Sequence, residues 1–212
     1  MTIKLHCFGE SGNAYKAALA LELSGLDWAP VFVDFFGGET RTPEYRAKVN
    51  EMGEVPVLVD GDFQTSQSGA IQAYVTEKSG KFGGKTNAEN YEAFRWVLWD
   101  NHKLSSPAGM VRFLMNFLPA EKRPKEVITF TQARLRSAYQ TLDSHLTGRD
   151  WIVGETLTNA DLSCCGYLFY PEPFGFDRAE WPNIDRWLSN IEGLPGWKHP
   201  YALMPGNPSD RQ

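Results

Sequence analysis

The sequence predicts an α/β domain over residues 1–79 followed by an all-helical domain over residues 88–212. Three observations carry that reading. Short β-branched and apolar runs alternate with helical patterns as far as residue 78. Strand signals vanish beyond residue 88, and residues 79–87 form a glycine- and lysine-rich link without periodicity. With 212 residues, 42% of them hydrophobic and 22% charged, the chain has apolar side chains enough for two cores.

The elements follow in order. Ile3-Lys4-Leu5-His6-Cys7-Phe8 alternates partly and stops at Gly9, the pattern of a short strand. Ser11-Gly12-Asn13 offers cap residues before the good helix formers of residues 14–23. Residues 31–34 read as a second strand, one βαβ unit downstream and so parallel to the first. A glycine loop at 36–38 and an irregular helix at 43–48 come next. Residues 55–60 and 63–65 then form a hairpin about Gly61-Asp62, and residues 67–78 place Ile71, Tyr74 and Val75 at helical spacing. The order is βαβ, a helix, then ββα, which is that of a thioredoxin-like domain.

In the second half, residues 88–117 and 124–146 read as long helices, the latter with Leu135, Ala138, Leu142 and Leu146 at steps of three or four. Thr158-Asn159-Ala160-Asp161 fits an N-cap with an acidic residue at the third helical position, opening an apolar helix through Tyr170. Pro182-Asn183-Ile184 begins another helix.

Composition narrows the function. The net charge of -5 and the lack of a basic tract argue against nucleic acid or an anionic membrane as partner. No stretch approaches the ~18 uninterrupted apolar residues of a membrane span, and the N-terminus lacks a secretory pattern, so the expected location is the cytoplasm. Cys7, Cys164 and Cys165 form no disulfide framework and read as core. His6, His102, His145 and His199 lack ligand spacing, so no metal is expected.

Gly9-Glu10-Ser11-Gly12-Asn13 nearly spells a hydrolase nucleophile elbow, but Asn13 stands where the second glycine must be. On local grounds Ser11 or Asn13 reads as a helix cap. A wider pattern shifts the balance. Asn50-Glu51-Met52-Gly53-Glu54-Val55-Pro56-Val57-Leu58, followed by Gln67-Ser68-Gly69-Ala70-Ile71, resembles the two glutathione-site motifs of the cytosolic glutathione transferases. Ser11-Gly12-Asn13-Ala14-Tyr15-Lys16 looks like the activating loop of their serine-type bacterial members, and the stretch from Trp151 to Asp161 resembles the helix-capping motif of their second domain.

That resemblance implies the glutathione transferase fold and a chemistry. Ser11, with Asn13 as a second donor or substitute, would hydrogen-bond the sulfur of glutathione and favour thiolate over thiol. Val55-Pro56 would be a cis peptide whose Val55 main chain pairs with the cysteinyl backbone of glutathione. Gln67 and Ser68 would hold the γ-glutamyl end at a helix N-terminus. Many relatives carry Glu at the position of Gln67, so a charge partner for the ligand's amino group is missing here. Arg41 and Lys48 are candidates for the glycyl carboxylate. A hydrophobic electrophile would lie between domains, against Phe8, Gly9 and Glu10 on one side and Trp99, His102, Met110 and Phe113 on the other.

The resemblance further implies a homodimer built on the fourth and fifth helices, with Phe94, Trp96, Trp99 and Phe117 as aromatic contributors. Other activities of the family are glutathione-dependent disulfide or peroxide reduction, which some serine-, threonine- or asparagine-bearing relatives perform, and isomerisation, though the Ser-Ser-Cys-Ser loop of the isomerases is absent where Glu10-Ser11-Gly12-Asn13 stands. The non-enzymatic alternative is a binding or assembly module, since the fold also serves in translation and stress proteins.

Overall fold

The computed structural model describes residues 2–208. Four strands, β1 (Ile3–Cys7), β2 (Trp28–Phe32), β3 (Val57–Asp60) and β4 (Phe63–Ser66), form one mixed sheet in the order β2-β1-β3-β4. β1 and β2 are parallel and are joined by a crossover through α1 (Gly12–Ser24), while β3 is antiparallel to both β1 and β4. α2 (Pro43–Lys48) lies in the β2–β3 connection, which leaves and re-enters the sheet at the same end. α3 (Ser68–Ser79) packs against α1 along the sheet.

β2 runs over Trp28–Phe32 rather than residues 31–34. Pro30 sits inside it, opposite Leu5. A proline lacks the N–H for a central ladder but is tolerated on an edge strand, which β2 is. The apolar residues Ile3, Leu5 and Cys7 of β1 are buried with Leu19, Leu21, Ile71 and Val75 of the helices. Burial pushes the Cys7 thiol up to about 12, with the Val31 main chain opposing weakly. It is an inert core residue.

The chain divides into two compact units, residues up to Lys81 together with those from Pro195, and residues 82–194. The C-terminal segment expected in the helical domain therefore belongs with the first unit. There α9 (Pro200–Leu203) packs on α1, the Tyr15 phenol donates to the Lys198 carbonyl at 2.9 Å, and the Lys198 ammonium meets Glu22 at 2.6 Å.

In the second unit α4 (Asn87–Trp99) opens with a Thr86–Glu89 capping box. It continues through a π-helical stretch, Asp100–Ser105, into α5 (Ser106–Asn116). The single helix expected over 88–117 is thus helical throughout, with one change of hydrogen-bond register. Pro107 cannot donate to the preceding turn, which accounts for the shift. The buried Asp100 carboxylate accepts the Ser105 hydroxyl at 2.7 Å and the Ser163 hydroxyl at 2.6 Å.

α6 (Lys125–His145) buries Leu135, Ala138 and Leu142 against its neighbours, as the spacing requires. α7 (Asn159–Cys164) begins with the expected Thr158–Asp161 box. It ends at Cys164 instead of reaching Tyr170, since Gly166 has low helix propensity and the main chain closes into tight turns there. α8 (Pro182–Glu192) completes the unit. Cys164 and Cys165 are buried, and no helix among the described residues is long and apolar enough to cross a membrane.

Candidate glutathione site

Register brings the candidate segments to one end of the sheet. His6 pairs with Val57, and Val57 pairs with Ser66. The chain therefore leaves β1 toward Ser11, enters β3 from Val55-Pro56, and leaves β4 toward Gln67-Ser68, all at the same end. Cys7 pairs with Phe32 in the same region, so the β2–α2 segment carrying Arg41 also departs there. Residues spread over 57 positions of sequence become one neighbourhood.

Ser11 is the N-cap of α1. Its Oγ accepts the Ala14 N–H at 3.1 Å, and its main-chain carbonyl accepts the Tyr15 N–H at 2.9 Å. Accepting consumes a lone pair and leaves the hydroxyl hydrogen available, with no acceptor among the described residues. Capping and sulfur activation are therefore compatible in one side chain. Asn13, partly exposed in the first turn, has a side-chain amide without a partner among the described residues. No acidic residue occupies that turn to oppose an anion.

The Val55-Pro56 bond is cis. Val55 lies outside the β3 ladder, and its main-chain groups make no hydrogen bond among the described residues. The preceding loop is tightly held. Gly53 has φ 68, a conformation L side chains avoid, and a Cβ there would stand 2.5 Å from the Arg46 guanidinium. The Tyr45 phenol donates to the Glu54 carbonyl at 3.0 Å, joined by the Asn50 amide at 3.0 Å. Burial, with Glu39 adding to it, pushes that phenol up to about 12, so it remains a donor.

Gln67 is held at φ 70 and ψ 118, a strained conformation for a residue with a Cβ. Its amide donates to the Glu54 carboxylate at 2.9 Å. Ser68 is the first residue of α3, buried, with a hydroxyl unpartnered among the described residues. The first intrahelical bond is donated by Ile71, leaving the N–H groups of Ser68, Gly69 and Ala70 directed outward. Strain at a helix N-terminus with unused donors fits an anionic ligand group.

Phe8 is buried and stacked on Phe35 at 4.8 Å, with Phe36 edge-on at 5.9 Å. Phe35 and Phe36 escaped the sequence reading, although an aromatic pair at the head of a glycine loop was a signal. Gly9 donates its N–H to the Pro205 carbonyl at 2.6 Å, and Glu10 is buried. Arg41 is exposed in a 3-10 turn, and Lys48 pairs with Glu44 at 2.8 Å on the surface. In the second unit Trp99 meets Trp96 edge-on at 4.9 Å, His102 is exposed in the π-helical stretch, and Met110 and Phe113 lie on α5, Met110 half exposed. No group of metal-ligating side chains occurs among the described residues.

Fold and site together define a thioredoxin-like domain with an appended helical domain. Residues 1–77 match the model for the N-terminal domain of glutathione S-transferase, and residues 106–195 match its C-terminal domain. Glutathione S-transferase 1 of Dianthus caryophyllus is 30% identical over 188 residues, covering 85% of this chain and 82% of that one. The chain belongs to the glutathione S-transferase family. It is also 27% identical over 208 residues to elongation factor 1-gamma 1 of Oryza sativa, covering 93% of this chain but 48% of that protein. Among solved structures, a glutathione transferase family member from Pseudomonas fluorescens with two glutathione bound superimposes with a TM-score of 0.82 at 25% identity, covering 92% of this chain and 90% of that one.

Proposed function

We propose that this protein is a glutathione transferase that activates glutathione as its thiolate for attack on a hydrophobic electrophile. The observation that carries the reading is Ser11, whose Oγ is fixed by the Ala14 N–H while its own hydrogen has no acceptor among the described residues. A hydroxyl so held donates to a sulfur at the N-terminus of α1, where the helix dipole also favours the anion. The Val55 main chain extends the sheet edge to the ligand's cysteinyl backbone, and Ser68 with the α3 N–H groups takes its γ-glutamyl carboxylate. Arg41 and Lys48 are the proposed cations for the glycyl carboxylate; Arg41 has no ion-pair partner among the described residues, whereas Lys48 is paired with Glu44. Phe8, Gly9, Glu10, Trp99, His102, Met110 and Phe113 are the proposed electrophile contacts.

A homodimer is part of this reading. Tyr91, Phe94 and Leu98 stand 76%, 60% and 54% exposed at positions that share one face of α4, an apolar stripe expected to be covered. Trp96, expected at that interface, is instead 3% exposed and belongs to the core of its own unit. The cytoplasm is the proposed location.

The likeness to elongation factor 1-gamma favours one second reading, an assembly module. Reduction chemistry through a protein thiol has less support, because Cys7 is buried and its thiol is held protonated. Retention on immobilised glutathione, elution by the free tripeptide, and turnover with an aromatic halide test the proposal. A chain that neither binds nor turns over contradicts the transferase reading and leaves the assembly module as the reading to test.

A further inference from the structure

Gln67 is neutral, so an α-amino acid end docked at Ser68 finds donors for its carboxylate but no charge in residue 67 for its ammonium. The structure supplies that charge from elsewhere in the sequence. Glu54 Oε2 accepts the Gln67 amide at 2.9 Å, and the same amide reaches Met52 Sδ at 3.5 Å. Glu54 is not a mobile surface carboxylate at its base, because its carbonyl is clamped by Tyr45 and Asn50 and its successor enters the cis peptide. Its second carboxylate oxygen takes no hydrogen bond among the described residues. Gln67, strained at φ 70, thus points its side chain back across the hairpin and holds a carboxylate beside the N-terminus of α3.

We propose that Glu54 is the anionic partner of the α-ammonium of the γ-glutamyl group, with Gln67 as the positioning residue that fixes it. The proposal rests on the reading of Gln67 and Ser68 as the γ-glutamyl site. Carboxylate and ammonium of an amino acid leave the same carbon, so a site that takes one at the helix end must meet the other within a hydrogen-bond length or so. The α3 N–H groups and Ser68 offer donors, and Glu54 offers a fixed acceptor of opposite charge beside them. An ammonium paired in this way is recognised as a charge and not only as a donor, which separates γ-glutamyl ligands from acyl analogues lacking the amine. The pair is solvent-exposed, so its contribution weakens with salt.

The test is calorimetric titration with S-methylglutathione and with its desamino analogue, S-methyl glutaryl-cysteinylglycine. The wild type is expected to prefer the amine-bearing ligand about tenfold, the lower range for a hydrogen bond to a charged group. Glu54→Gln should bring that ratio close to unity and Glu54→Asp should keep part of it, while Glu51→Gln, which removes an equal charge from the same loop, should leave it intact. Ser68→Ala should weaken both ligands and preserve the ratio. An unchanged ratio in Glu54→Gln, with Ser68→Ala still weakening both ligands, overturns the role of Glu54 and leaves the γ-glutamyl site standing. An equal loss in Glu51→Gln overturns it as well, in favour of a diffuse field. Failure of the wild type to bind either ligand overturns both readings together.

Discussion

The indole N–H of Trp187 donates to the buried carboxylate of Asp161 at 2.9 Å, joining α8 to the start of α7. The same carboxylate accepts the main-chain N–H groups of Ile152 and Thr158 at 2.8 Å each and the Thr158 hydroxyl at 3.0 Å. Burial pushes this carboxyl up and the four donors pull against it.

Asp161→Ala strands four buried donors at once. The loss should exceed the ~0.5–2 kcal/mol of an ordinary cap and reach about 3 kcal/mol or more, since each stranded donor carries its own desolvation cost. Chemical denaturation measures it. Turnover per folded molecule should be unaltered, and a variant of normal stability without activity would contradict the structural role.

Gly9→Ala probes the loop ahead of Ser11. A Cβ at residue 9 would lie 3.2 Å from the Pro205 carbonyl and from Tyr201, so the C-terminal segment must yield. A destabilisation of about 1 kcal/mol is expected from such overpacking, with a lowered kcat because Ser11 moves with the loop. Thermal melts and steady-state kinetics read the two effects, and unchanged values in both would mean that the segment is not seated there in solution.

Asp60 gives a pH signature. The hydrogen bond from Lys78, then that from the Tyr74 phenol, both at 2.6 Å, hold its carboxyl below the usual carboxylate range. Since the folded value lies below the unfolded one, the stabilisation is present above about pH 3.9 and is lost as pH falls through the folded value. The Tm gap between wild type and Asp60→Asn should be widest near neutrality and close below about pH 4. A gap constant down to about pH 3 would contradict the assignment.

Phe94→Asp tests the apolar stripe on α4. The wild type should sediment at twice the mass of one chain and the variant at one, with unchanged helical content, because Phe94 is exposed within its own chain. A wild type that remains monomeric at micromolar concentration removes the dimer from the proposal.

Local chemistry wrote most of this fold plainly into the sequence. Caps, β-branched runs and the Gly61-Asp62 turn act over a few residues, so β1, the hairpin, α1, α3 and the Thr158–Asp161 box were readable. Features set by tertiary position were not. Pro30 reads as a strand breaker unless β2 is known to be an edge. The four-residue α9 has too few turns to show periodicity, and its place with the first unit depends on contacts to Tyr15, Glu22 and Gly9 far away in sequence. Of the proposed site, Ser11, Val55-Pro56 and Gln67-Ser68 were legible as motifs. The role proposed for Glu54 was not, since that residue reaches Gln67 across 13 positions and only the fold brings them together. Its place directly before Val-Pro was the one available hint.

The central claim is that the Ser11 hydroxyl lowers the pKa of bound glutathione, and ultraviolet titration of the bound thiolate in wild type, Ser11→Ala and Asn13→Ala tests it most directly. The account predicts a bound thiol titrating below the unperturbed ~8.5 in the wild type. It should rise in Ser11→Ala while glutathione affinity changes little, with turnover at neutral pH falling roughly tenfold to a hundredfold and recovering in part at higher pH. An unchanged thiol pKa in Ser11→Ala, with a raised one in Asn13→Ala, would contradict it and transfer the sulfur contact to Asn13.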